Sequence, residues 1–338
     1  MPLPYTPHPG PLNLITDVAG LTVGQADNAA IATGVTVFLF DKPAAAGAAF
    51  IGGGPGNRDT ACLEPDAAVQ GIDALVLSGG SGFGLDAATG VQAWLREHGR
   101  GLAVGPALVP IVPQAILFDL INGGNKDWGR FPPYRDLAYE AASRCSADFA
   151  LGTHGAGYGA TTVNFQGGAG SASVVTPSGF TVGAYAAVNT MSSAVMDNGP
   201  YFWASPFELN REFGGLGSPF PYPQGRLTLT WKGGPEFATT IAVVATDAVL
   251  TKPQARRLAF AAQGGLAKAL RFANGFMDGD TVFAVATGRK PMSDEGNQMT
   301  ELGALASDCL ARAVARGVYE ASALPFPSAL PAWKDVFR

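Results

Sequence analysis

Apolar positions along this chain gather into short blocks, and the spacing inside each block predicts its element. VTVFLF (35–40) and DALVLSGG (73–80) read as buried strands, the second ending in glycines. Leu85, Ala88, Val91 and Leu95 recur at helical intervals, with Gly99 as a stop, and 135–147 gives a second helix. A glycine-rich stretch follows from 151 to 190 and contains the strand FTVGAYAAVN (180–189). RLTLTW (226–231) alternates like another strand. From Thr239 the order is regular. TTIAVVATD is a strand. A helix over 251–273 follows, with Thr251 near its N-cap, Pro253 in its first turn, and Leu258, Ala262, Leu266 and Leu270 along one face. TVFAVAT (281–287) is a strand, and residues 298–316 make a last helix with Leu302, Leu305, Cys309 and Val314 inward. The aromatic, proline-rich segment 200–225 is the best candidate for a linker, though its rings argue that it packs against something. Alternating strands and helices, with strands in hairpin-like groups, predict an α/β sandwich with helices outside.

Composition narrows the class. Of 338 residues, 47% are hydrophobic and 14% charged, so a large core is available and part of the surface is expected to be covered by other subunits. The 45 glycines and 25 prolines follow no collagen period and imply many tight turns. A net charge of −5 offers no footprint for nucleic acid. The start, MPLPYTPHPG, has neither the basic nor the apolar region of a signal peptide, and no apolar run is long enough to span a bilayer. Cys62, Cys145 and Cys309 are far apart and read as reduced, buried thiols of a cytoplasmic protein. With His8, His98 and His154 equally scattered, no metal-ligand spacing exists, and no cofactor is expected.

Four stretches carry candidate chemistry. GGSGFG (79–84) lies between a strand and a helix, where free N–H groups could cradle a phosphate; it lacks the dinucleotide spacing and the Walker lysine, and reads equally as a tight turn or as the lining of another pocket. In MDGD (277–280), two carboxylates flank a glycine. This is an ordinary turn signal, a poor metal cage, or a pair that could hold an ammonium. Asn189, at a strand end, is a turn residue or an oxyanion donor of the kind whose removal costs about 2.7–4 kcal/mol of transition-state stabilisation. Thr239 opens a strand, where threonine is at home on propensity alone.

Taken together and in order, GGGPGNRDT (52–60), ALVLSGGSGFGLDAATGV (74–91), VPIVPQAILFDL (109–120), VGAYAAVNT (182–190), TTIAVVATDA (239–248) and MDGDTVFAV (277–285) give more than any one block. The chain resembles the self-processing aminopeptidases and amide hydrolases: the L-aminopeptidase/D-amidase-esterases, the β-peptidyl aminopeptidases and the 6-aminohexanoate-oligomer (nylon oligomer) hydrolases. The likeness runs from about residue 15 to about 316. It implies a four-layer α/β/β/α sandwich and a single precursor cut before a Ser or Thr. The cut would give an α chain (1–238) and a β chain (239–338) that assemble as tetramers of αβ units. By motif, Thr239 is the nucleophile, Asn189 the oxyanion donor, and Asp278 and Asp280 the acids that contact the nucleophile. Thr with Asp-Gly-Asp points toward the nylon-oligomer side. Ser81, Gly82 and Phe83 are expected in the substrate pocket. The partner is a small amide or oligo-amide.

The chemistry is coherent from below. A threonine hydroxyl needs a base, and a freed α-amine, with a pKa near ~7.7–8.0, can serve at neutral pH. Two departures stand out. Relatives have Asn or Gly before the nucleophile, and here it is Ala238. Ala tolerates a left-handed backbone poorly, so Ala238 is expected to slow or block cleavage and trap the precursor. A lysine that relatives carry between the helix near 140 and the Asn strand is missing from GYGATTVNFQGG (157–168), where Asn164 and Gln166 come nearest. The leading expectation is therefore an N-terminal-threonine amide hydrolase. A non-catalytic α/β binding protein on the same scaffold and a nucleotide-dependent enzyme using GGSGFG are the alternatives.

Overall fold

The structure, a computed structural model, describes residues 5–233 and 237–338. The first four residues of the N-terminal arm, and Glu236 ahead of the threonine strand, therefore lie outside the described residues. In chain order the elements begin β1 (Leu21–Asn28), β2 (Thr33–Phe50), β3 (Gly56–Arg58), β4 (Ile72–Ser78) and α1 (Ala87–Glu97). Next come β5 (Leu102–Val104), β6 (Ala107–Val109), β7 (Gln114–Ile116), α2 (Tyr134–Ser143), β8 (Gly168–Val175) and β9 (Thr181–Asn189). The last part comprises β10 (Thr239–Ala248), α3 (Lys252–Ala262), α4 (Gly264–Ala269), β11 (Thr281–Lys290), α5 (Glu295–Glu320) and α6 (Trp333–Phe337).

The strands run β3-β7-β4-β2-β11-β10-β9-β8, with β1 also on β2. The 18-residue β2 belongs to two sheets. Its first half pairs with β1 and β4, and its second half pairs with β11. Because strand side chains alternate between faces, the long strands feed two apolar layers. Ile241, Val243, Phe283, Val285 and Tyr185 meet Phe38, Phe40, Leu75 and Leu77 in a middle layer. Their neighbours Ala242, Val244, Val282, Ala284 and Val188 pack under Leu258, Leu266, Leu302 and Leu310 of the helices. On the far side, Val35, Val37 and Val76 pack under Val91, Leu95 and Leu137 of α1 and α2. Three apolar layers between two sheets and two helical coats make the expected α/β/β/α sandwich.

Some expectations are corrected. RLTLTW is no strand: residues 224–227 form a short 3-10 turn, and Leu227, Leu229 and Trp231 are exposed, with no strand among the described residues paired to them. The helix over 251–273 breaks at Gln263 into α3 and α4, although Thr251 caps α3 as expected. Segment 200–225 is not a linker. Phe202 and Phe213 are buried in the helical core, and Glu212 makes a buried ion pair with Arg312 of α5. Of the three free cysteines, only Cys309 is fully buried. No helix among the described residues is long and apolar enough to cross a membrane.

Candidate active site

Thr239 and Asn189 meet because of strand register. They are directly opposed partners at the end of the antiparallel pair β9–β10. Their parity matches Ala187 and Ile241, so both side chains face the middle layer, at its open end. Both are buried, at 4% and 1% exposure. The preceding residue, Ala238, forms a parallel bridge with Asp278. Its N–H donates to the Met277 carbonyl at 3.3 Å, and its carbonyl accepts from the Gly279 N–H at 2.8 Å. The Thr239 hydroxyl donates to that same carbonyl at 2.5 Å. The peptide bond ahead of Thr239 is thus fixed against the acid loop. Ala238 is not among the residues with positive φ, so the expected backbone obstacle to cleavage is absent.

The acid loop is held almost wholly by backbone. Asp280 accepts from the N–H groups of Thr240 and Asn274, both at 2.7 Å. Asp278 accepts from Gly275 at 3.1 Å and Met191 at 3.4 Å. Gly279 between them is required: a Cβ there would lie 2.6 Å from the Thr239 hydroxyl and 2.7 Å from the Gly54 carbonyl. The run 52–54, which reads as a surface loop in the sequence, buttresses this turn, with Gly54 N–H bonding the Asp278 carbonyl at 2.8 Å. Burial raises both carboxyl pKa values. Asp280 is pushed up to about 7, by burial first and by the charge of Asp278 second. For Asp278, burial is opposed by the N–H groups of Gly275 and Met191 and by the charge of Lys232.

Asn189 has a fixed orientation. Its Nδ2 donates to the Phe118 carbonyl at 2.9 Å, and its Oδ1 accepts from Thr161 N–H at 3.0 Å and Lys232 Nζ at 3.2 Å. Sequence reasoning missed Lys232. It follows directly on the misread strand, and a basic residue amid aromatic and glycine residues just before Thr239 was its only signal.

A cavity of about 410 Å³ opens beside this cluster, lined by Phe118, Asp119, Asn122, Thr161, Gln166 and Lys232 among others. Asn122 and Gln166 spend their amide N–H groups on backbone carbonyls, and both side-chain oxygens have no hydrogen-bond partner among the described residues. Ser81, Gly82 and Phe83 are not in its wall. Phe83 is 54% exposed and packs on Trp128, and the loop's Gly80 N–H donates to Asp119 at 2.7 Å. Among the described residues no group of three or more His, Cys, Asp or Glu is placed to hold a metal ion.

The apolar sandwich thus carries a hydroxyl, an amide and two acids at the mouth of its middle layer. The fold matches a Burkholderia sp. β-aminopeptidase (TM-score 0.73, 21% identity, 97% of this chain and 92% of that one). It also matches the L-aminopeptidase D-Ala-esterase/amidase of Ochrobactrum anthropi, described as a variant of the Ntn hydrolase fold (TM-score 0.73, 21% identity, 98% and 93%). At that identity the likeness concerns the fold alone. In sequence, the chain is 40% identical to an uncharacterized aminopeptidase of Mycobacterium tuberculosis (strain ATCC 25618 / H37Rv), over 96% of this chain and 98% of the relative. It is also 40% identical to one of Mycobacterium leprae (strain TN), over 93% and 92%. Residues 13–329 match the profile of peptidase family S58. The chain belongs to that family and is an amide-bond hydrolase.

Proposed function

We propose that the protein is a self-processing N-terminal-threonine aminopeptidase that cuts at Ala238–Thr239 and then hydrolyses short peptides or amino-acid amides. The observation that carries this is the Thr239 hydroxyl on the Ala238 carbonyl, across from Asn189 and against Asp278 and Asp280. In self-cleavage, Thr239 Oγ adds to the Ala238 carbonyl carbon while the Gly279 N–H steadies its oxygen. The hydroxyl proton passes to the amide nitrogen as the C–N bond breaks, the acyl group moves from N to O, and water opens the ester to leave a carboxylate on Ala238 and an amine on Thr239. That amine is then the base for the same hydroxyl, and Asn189 Nδ2 supports the oxyanion of the bound amide. The new ammonium also adds a positive charge beside the two buried acids, in addition to that of Lys232. Ala238 contributes no side-chain amide to the scissile carbonyl, so Ala238→Asn is expected to cut faster rather than to release a trapped precursor.

The side-chain oxygens of Asn122 and Gln166, which find no partner among the described residues, favour, with Asp119 nearby, a substrate that carries N–H donors, such as a free ammonium. The Asp278-Gly279-Asp280 turn with Thr239 keeps 6-aminohexanoate oligomers as the second substrate class. An oligomeric assembly and a cytoplasmic location complete the reading. Incubation with a chromogenic amino-acid anilide and with a soluble aminohexanoate oligomer separates the substrates. Activity on neither, by protein cut at position 239, would refute the reading and favour a binding protein.

A further inference from the structure

Lys232 is tied to the site by more than its ammonium. Its backbone N–H donates to the Met191 carbonyl at 3.0 Å, and Met191 N–H in turn bonds Asp278. Its Nζ reaches the Thr161 carbonyl at 2.9 Å and Asn189 Oδ1 at 3.2 Å. An amide of this kind has two orientations that differ by exchanging N and O. An Asn189 turned the wrong way would present a lone pair to the reacting oxygen. Neutral donors and acceptors on both sides, Thr161 N–H and the Phe118 carbonyl, select the right one. The ammonium adds a charge-assisted bond to the oxygen end, which holds that choice and draws electron density away from Nδ2, making its N–H a better donor.

From this geometry we infer that Lys232 is a positioning residue for Asn189: it fixes and polarises the side-chain amide that stabilises the oxyanion. The inference rests on the nucleophile reading above. It has an unusual consequence. Lys232 lies on the segment that ends at the proposed cut, so it belongs to the tail of the first fragment. The severed tail is then part of the working enzyme, not a leader to be discarded, and its retention keeps Asn189 competent.

The test compares Lys232→Met, Lys232→Arg, Asn189→Ala and the Lys232→Met/Asn189→Ala double variant, each as full chain, with rates taken per cut molecule. Lys232→Met is expected to lower kcat about tenfold with little change in KM, less than the roughly 10²–10³-fold of removing a direct oxyanion donor. Lys232→Arg is expected to recover most of the loss, and the double variant to be no worse than Asn189→Ala alone. A raised KM with unchanged kcat, full activity in Lys232→Met, or losses that simply multiply would overturn the inference. Should Lys232→Met fail to fold, Lys232→Arg decides: near-normal kcat supports the role and a KM-only defect refutes it. Thr239→Ala runs alongside, since activity surviving there would sink the nucleophile reading instead.

Discussion

The glycine run at 52–54 and the glycine loop at 79–84 look alike in sequence, yet they sit differently toward the chemistry. In the second, which resembles a phosphate cradle, the N–H groups of Gly80, Ser81, Phe83 and Gly84 are all spent on the chain itself, on Asp119, Leu117 and Gly80. Its acceptors are built in. In the first, Gly52 and Gly53 hydrogen-bond the carbonyls of Asp280 and Gly275, and Gly54 that of Asp278, so a plain turn becomes the back wall of the acid loop. A glycine matters here for what must approach it, and pattern alone does not reveal that.

The sharpest way to probe the contrast is at the contact between that wall and the nucleophile. Gly279→Ala would drive a methyl into the Thr239 hydroxyl and the Gly54 carbonyl. Self-cleavage and anilide hydrolysis should fall on the order of 100-fold, the usual cost of a displacement near 1 Å. A circular-dichroism melt should still show a cooperative fold, and unchanged cleavage on gels would break the comparison.

A smaller effect concerns pH. In the uncut chain Asp280 keeps its proton up to about 7, whereas an unfolded Asp loses it near ~3.9. Between those values the folded state binds a proton that the unfolded state does not. Its stability therefore declines as pH rises through that window and levels off above it. The melting temperature of an uncut Thr239→Ala chain should drop between pH 5 and pH 8 for this reason, and Asp280→Asn should flatten the decline. An equal drop in both chains would remove Asp280 as the cause.

The least effect belongs to the other loop. A Cβ at Gly82 meets nothing within 4 Å. Gly82→Ala should change stability by no more than about 0.5 kcal/mol and leave hydrolysis unaltered. ATP or NAD should not raise the melting temperature, because the N–H groups of Gly80, Ser81, Phe83 and Gly84 are already used.

These contrasts mark how far the sequence could be read. The buried strands were legible because β4, β10 and β11 keep short continuous apolar runs, and the order of the blocks singled out Thr239, Asn189, Asp278 and Asp280, which the fold brings together. The second half of β2 was not legible. Its Ala-rich stretch has no β-branched signal and is strand only because β11 pairs with it from Ala45 to Phe50. RLTLTW failed in the opposite way, since its alternation is genuine but no strand among the described residues is paired to it. Lys232 was hidden by that misreading, because its role depends on a loop returning to Asn189 rather than on any local motif. Ala238 was judged from backbone strain that its bridge to Asp278 does not impose.

Intact-mass spectrometry of the purified protein, beside Thr239→Ala, tests the nucleophile most directly. Two chains that meet between Ala238 and Thr239 are expected, with Thr239→Ala remaining a single inactive chain. A protein that hydrolyses amides while still uncut, or one cut equally well with alanine at 239, would contradict it.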